Sequence, residues 1–297
     1  MGKVLGWSLA ATVLFVAVEA VAGLRAHSLA LLSDAGHNFT DALALLLAGF
    51  GYHLQSRPAD EEKTYGYHRA GVLAAFVNAI TLLALALYIF YESYERLLNP
   101  RVVHEATMLA VAAAGLVVNL GIMWGLDAGR KHDLNVRAAF VHMLGDAVGS
   151  VGIVIGAVVI RYSGWQRIDP LLSIAIGLLI VWTAWDIVKE SLNILLEGLP
   201  RGMRLGDVVR TIRAVEGVRD VHDLHVWSLG SSVHALSCHV LIDDLPPSSS
   251  EAILRCINEE LERRLHIHHT TIQFEHACCA VSENGCRIPA AIPRRST

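Results

Sequence analysis

Residues 31–50 read LLSDAGHNFTDALALLLAGF. The stretch is long and apolar enough for a helix in lipid, yet Asp34, His37 and Asp41 fall near its start. At spacings of three, four and seven residues, these side chains occupy nearly one helix face. A carboxylate in the hydrocarbon of a bilayer costs at least about 2.5–3.5 kcal/mol on insertion scales, so it is rarely idle there.

A second stretch, FVHMLGDAVGS at 140–150, repeats the pattern with His142 and Asp146. Residues four apart share a face, with Cβ atoms about 5–6 Å apart. Each helix therefore offers one nitrogen and one oxygen on the same side. Two such helices face to face supply four ligands, matching the tetrahedral N/O preference of Zn²⁺, with bonds near 2.0–2.2 Å. Two carboxylates and two neutral imidazoles also cancel a divalent charge. The HxxxD spacing alone is a weak signal, and two matched copies in separate spans strengthen it. Structural hydrogen bonding between helices, or a proton relay without metal, is the competing reading. Asp34 is read as an acceptor for a ligand histidine or as an entrance charge. Glu19, Asn78 and Asn119 are read as interhelical hydrogen-bonding groups.

The 297-residue chain is 54% hydrophobic and only 18% charged, against about 25% charged in soluble domains. Its mean hydropathy is +0.46. The apolar residues concentrate before about residue 195, so a membrane domain (1–197) precedes a soluble one (198–297). The net charge of −4 gives no reason to expect nucleic acid. All five cysteines, Cys238, Cys256, Cys278, Cys279 and Cys286, lie in the tail. An odd number in a cytosolic-looking segment argues against a disulfide framework. Cys238 and Cys256 are read as reduced, buried thiols, and metal contact is plausible for the last three, beside His276.

Six apolar runs are drawn, at roughly 4–24, 29–54, 69–92, 105–127, 136–161 and 170–195. The first is long enough to span and lacks a compelling cleavage site. Six spans put both ends on one side, and the basic residues decide which. Lys3, Arg57, Lys63, Arg69, Arg130, Lys131 and Arg137 fall in the loops on the side of the N-terminus. Fewer basic residues fall opposite, so both ends are expected in the cytoplasm. Glycines four apart, at 121, 125 and 129, then 145 and 149, then 152 and 156, predict close helix packing in lipid.

The tail reads as helix, strand, strand, helix, strand. MRLGDVVRTIRAVEGV has helical spacing and stops at Gly217, and SSSEAILRCINEELERRL is a second amphipathic helix. VHDLHVWSL, VHALSCHVLI and TTIQFEH read as strands. That order predicts a two-layer α+β domain with helices on one face of a sheet.

SLALLSDAGHNFTDALAL (28–45), RPADEEKTYGYHRAGVLAAFVNA (57–79), VHMLGDAVGSVGIVI (141–155), residues 168–200 and VHDLHVWSLGSSVHALSCHVLI (221–242) together resemble the cation diffusion facilitator family. The resemblance covers nearly the whole chain. It points to the zinc-transporting branch, including bacterial cadmium–zinc–cobalt resistance members. It implies an α-helical membrane protein with six transmembrane helices and a C-terminal ferredoxin-like, metallochaperone-like cytosolic domain. It also implies a homodimeric metal/proton antiporter of the bacterial cytoplasmic membrane. The transport site it implies is His37, Asp41, His142 and Asp146, in a version associated with zinc. The cytosolic zinc site it implies is His222, His239, His268 and Glu275, with Cys278 and Cys279 as further contributors. Some members carry an Asp and two His between spans two and three. Here Asp60 fits, while Lys63 and Tyr67 stand at the histidine places, so that site is expected to be missing or altered.

Zn²⁺ is thus expected both as cargo and as a cytosolic ligand. The alternative function is a proton channel or relay without metal transport. An intramembrane zinc protease would need an HExxH-like run, and none occurs.

Overall fold

The computed structural model describes residues 2–55, 57–127, 134–231 and 233–277. It divides into two compact units, Met1–Phe50 with Ala74–Val188, and Gly51–Leu73 with Lys189–Thr297. Cys278 and Cys279 lie outside the described residues, as do Gly129 and Cys286.

Six long helices occupy the six apolar runs: α1 (Gly2–Ala26), α2 (Leu29–Gln55), α3 (Arg69–Leu98), α4 (Glu105–Leu126), α5 (Leu134–Ser163) and α6 (Ile168–Leu195). Among the described residues, Arg69–Leu98, Glu105–Gly125, Phe140–Ser163 and Ile168–Leu195 are long and apolar enough to cross a membrane by length and composition. α1 and α2 have 25 and 27 residues, about 37–40 Å of helix against roughly 30 Å of hydrocarbon. Leu87, Val117, Val148, Leu178 and Trp182 are exposed on α3–α6. Such outward apolar surface is what lipid rather than water demands.

Two clusters hold the first unit together. Ala30 and Leu31 of α2 pack with Met108 and Ala112 of α4 and Ile153 and Ala157 of α5. Leu82, Ala86 and Ile89 of α3 pack with Ile180 and Ala184 of α6. The small residues let backbones approach, which drives helix association in lipid. The glycine expectation holds in part. A Cβ at Gly156 would overlap Leu172 of α6 and crowd Met108, whereas Gly121, Gly125 and Gly145 meet nothing within 4 Å. The latter faces point away from the chain's own helices.

The start of α2 is fixed from a distance. The Asp169 carboxylate accepts from Ser28 Oγ at 2.6 Å, Leu29 N at 2.7 Å and Ala30 N at 3.2 Å. It thus satisfies amide donors that a helix N-terminus leaves unpaired, from α6 rather than from the usual cap residue. Arg96 of α3 lies 3.8 Å from Asp169 and donates to the His27 carbonyl at 2.6 Å. Both Asp169 and Arg96 are buried.

The second unit contains α7 (Leu205–Arg213), β1 (Val218–Ser228), β2 (His234–Ile242), α8 (Pro247–Leu265) and β3 (Ile267–Glu275). The order matches the sequence expectation. β1 pairs antiparallel with β2, and β2 pairs parallel with β3. Val208 and Ile212 of α7, and Ile253, Ile257 and Leu261 of α8, recur four apart and bury against Leu236, Cys238, Val240 and Ile242 of β2. The alternation puts His239 on the opposite face of the sheet. Burial pushes the Cys238 thiol up to about 12, with the Asp223 charge adding to the effect, so it stays protonated and inert. Cys256, expected to be buried, is exposed, because it precedes Ile257 on the outer side of α8.

Candidate metal centres

The membrane centre joins α2 and α5. His37 Nε2 lies 3.6 Å from Asp41 Oδ2 and 3.9 Å from Asp146 Oδ1. His142 Nε2 lies 3.3 Å from Asp41 Oδ2 and 3.7 Å from Asp146 Oδ2. The imidazole rings are 6.3 Å apart. Ligands about 2.0–2.1 Å from a tetrahedral ion stand ~3.3 Å from one another, a spacing the four N–O pairs approach at 3.3–3.9 Å, although no three of the groups bring their ligand atoms all within 4.8 Å of one another. Asp41 Oδ2 is buried yet makes no hydrogen bond, despite two imidazole nitrogens within 3.6 Å. An acceptor aimed at such neighbours without bonding them suits a shared cation. Asp146 is buried and His142 about half exposed, so the centre opens on the His142 side. The four residues predicted from sequence are all brought together.

Asp34, expected to serve a ligand histidine or an entrance, is buried. Nearby, Asn38 Nδ2 donates to Glu19 Oε2 of α1 at 3.2 Å. The Asn78 side-chain oxygen, expected to bond between helices, has no partner among the described residues.

The second centre lies on the open face of the sheet. His222 and His239 are direct cross-strand partners, with ring centroids 5.4 Å apart. Glu275 pairs with Leu241, two residues along β2 from His239, within diagonal reach. Glu275 places Oε2 3.0 Å from His222 Nε2 and Oε1 3.0 Å from His239 Nδ1. His222 Nε2 and Glu275 Oε2 are buried without a hydrogen bond. Three nitrogen and oxygen donors thus converge on one point, the arrangement a metal needs. The three offer ligand atoms all within 4.8 Å of one another, the one such group among the described residues.

His268 does not join them. It stands seven residues before Glu275 on β3, about 23 Å along an extended strand. It is exposed and faces Glu262 of α8 at 3.4 Å. His225, His234, His266 and His269 are likewise outside the cluster. His266 ends α8 in the left-handed region at φ 54°.

Asp223 was missed. It adopts φ 50°, where β1 and β2 slip register between His222 and His225. The bulge inverts the strand's alternation, so that Val221 and Val226 both point into the core. Asp is tolerated there because its short polar side chain can bond locally. Its Oδ1 lies 3.1 Å from His225 Nε2, and its Oδ2 lies 3.7 Å from His239 Nε2, the nitrogen facing away from Glu275. A carboxylate behind a ligand imidazole orients the ring and raises its basicity. Asp223→Asn, in protein also carrying Asp41→Ala and Asp146→Ala so that only this centre reports, is expected to weaken zinc binding by about 10–100-fold. Competition with a chromophoric chelator measures it.

The loop site is altered, as expected. Asp60 accepts from the Glu62 and Lys63 amides at 3.0 and 2.7 Å and from the Tyr67 hydroxyl at 2.8 Å. The Tyr67 hydrogen bond, helped by the Lys63 amide, holds its carboxyl below the usual range. Asp60 is thus committed to closing its own loop.

Family profiles and known proteins match most of the chain. A family profile described as the cation efflux transmembrane domain matches residues 6–196. One described as the cation efflux protein cytoplasmic domain matches residues 200–277. The chain is 43% identical over 264 residues to a cadmium, cobalt and zinc/H(+)-K(+) antiporter of Bacillus subtilis, covering 88% of this chain and 85% of that one. It is 40% identical over 272 residues to the metal cation efflux system protein CzcD of Cupriavidus metallidurans, covering 92% and 86%. It is 42% identical over 267 residues to the zinc transporter ZitB of Escherichia coli, covering 89% and 84%. The solved metal-bound C-terminal domain of the Cupriavidus CzcD transporter is 37% identical, covering 25% of this chain and 99% of that one, with a TM-score of 0.23.

Proposed function

The chain belongs to the cation efflux family, and from that premise we propose that it exports a divalent cation, Zn²⁺ foremost, in exchange for protons. It is an integral membrane transporter and not an enzyme. The relatives named as antiporters and zinc transporters support the class of reaction. The observation that carries the reading is the convergence of His37, Asp41, His142 and Asp146 at N–O separations of 3.3–3.9 Å.

The transport domain comprises residues 1–197 and the cytosolic domain 198–297, with both termini in the cytoplasm of a bacterium. Zn²⁺ enters from the cytosol, exchanges water for two imidazoles and two carboxylates, and is carried outward as α2 and α5 change their exposure. Imidazole titrates near neutrality, so protons compete with the ion for the same nitrogens. Protonation on the outer side releases the ion, and the protonated centre returns.

In the cytosolic domain His222, His239 and Glu275 would hold a second Zn²⁺, with Asp223 behind His239. Bound there, the ion would cross-link β1, β2 and β3, and a second copy of the chain completes the working homodimer. Purified protein in liposomes, loaded with a zinc dye on one side and a pH dye on the other, tests the exchange. Zinc entry with opposite proton movement is expected. Proton conduction that ignores zinc and survives loss of His37 and His142 would replace this reading with a proton channel.

A further inference from the structure

The turn between α1 and α2 meets the head of α4 at one end of the first unit. The His104 amide donates to the Ala26 carbonyl at 2.9 Å, and Arg96 donates to the His27 carbonyl at 2.6 Å. The Val103 amide donates to Gln166 Oε1 at 2.9 Å. Ala26, Ser28 and Val103 are buried. His27 itself stands in the left-handed region at φ 53°, which residues other than glycine adopt only occasionally. Hydrogen-bonded backbone and buried neighbours therefore fix where two exposed side chains, His27 and His104, are presented. Their ring centres lie 6.0 Å apart. His104 precedes α4, yet its side chain makes no capping hydrogen bond. Glu105, the next residue, faces Arg161 at 3.4 Å instead. Among the described residues, the two rings contact each other and form no ion pair or side-chain hydrogen bond. Their nitrogens are not spent on holding the fold.

Two imidazoles on one tetrahedral ion place their ring centres about 5 Å apart. The histidine pairs of the two metal centres stand at 6.3 Å and 5.4 Å, and His27 with His104 falls between them. We propose that His27 and His104 bind a divalent metal ion between them on the outer face of the protein, with water in the remaining positions. Imidazole suits Zn²⁺ and its neighbours in the transition series. The pair is separate from the four ligands within the membrane. It rests on the proposed exchange for its side. With both termini in the cytoplasm, α1 ends and α4 begins outside, where the exported ion is released. Two donors facing water grip an ion more loosely than four in lipid. The pair therefore fills when the ion accumulates outside and lets it go on dilution, as a release side requires.

Diethyl pyrocarbonate, which acylates free imidazole nitrogen, reads this site in the full-length protein in detergent. Asp41→Ala with Asp146→Ala removes the membrane centre from the readout. Zinc is expected to suppress modification of His27 and His104 together, along one concentration dependence, as measured by peptide mass spectrometry. Adding His104→Gln is expected to restore modification of His27 in the presence of zinc, and His27→Gln to restore that of His104, because one ring alone loses the second donor. Rings that stay reactive in millimolar zinc overturn the site. So does a His27 that remains protected in His104→Gln, since a single histidine or a distant change of shape would then explain the protection. Should either variant fail to fold, the intact pair decides, and protection of the two rings at different zinc concentrations overturns a shared ion. None of these readings depends on flux. Loss of the site leaves the exchange reading standing, while absence of zinc flux in liposomes overturns the exchange without changing the protection of the rings.

Discussion

Replacing Asp41 and Asp146 together by alanine is expected to abolish zinc flux in proteoliposomes while leaving the protein folded. Both carboxylates sit at the shared focus of the two imidazoles, and Asp41 Oδ2 is the atom both rings approach, at 3.6 and 3.3 Å. Without them an ion would keep two neutral nitrogens, and its double charge would go uncompensated in lipid. Loss of a partner merely behind a ligand costs about 10–100-fold in affinity, so losing half the ligands should exceed that. Folding should not suffer, because two unpaired acids are removed from a place where they are costly. A cargo-free flux assay, with circular dichroism as the folding control, decides the matter. Transport at the native rate would mean that the ion travels elsewhere. His37→Ala with His142→Ala separates the metal reading from a proton relay, because a relay through the carboxylates would still conduct.

Asp169→Ala carries the second large expectation. That carboxylate binds the first amides of α2 and faces Arg96, itself nearly buried. Removing one member of a buried ion pair typically costs about 3–5 kcal/mol. Arg96 retains Glu92 at 2.9 Å and the His27 carbonyl, which places the expected loss toward the lower end. The thermal midpoint in detergent should fall by several degrees, and the amides of Leu29 and Ala30 should exchange with deuterium faster than in wild type. Asp169→Asn, which keeps a carbonyl acceptor, should recover part of both. An unchanged midpoint for Asp169→Ala would show that the contact contributes nothing net.

The intramembrane cluster was legible because the chemistry repeats at helical spacing. His-x-x-x-Asp occurs twice in apolar surroundings, in two separate spans. The strands of the tail were legible from alternation, and with them the pairing of His222 with His239. His268 entered with the family resemblance alone, and the strand puts it at the opposite end of β3 from Glu275. A strand that rises about 3.3 Å per residue carries the two ends of a nine-residue element well apart. Asp223 was hidden because the one-residue slip that aims it behind His239 breaks the alternation by which strands are read. The contacts of Asp169 depend on which helices become neighbours. No local pattern tells Asp169, at the start of α6, that its partners are Ser28 and Leu29, some 140 residues away.

The anchor at the head of α2 also acts as a depth gauge. Leu29 is tied by its amide to Asp169, and His37 follows eight residues later, about 12 Å down the helix axis. Against a hydrocarbon layer of roughly 30 Å, that distance is a little under half the thickness, and it is fixed whatever the surrounding loops do. One residue inserted between Ser28 and His37 would sink the ligands by about 1.5 Å and swing them about 100° around the axis, turning them away from α5. The connecting loops can vary in length, but this short stretch of α2 cannot, because it sets both how far and in which direction the cation is presented.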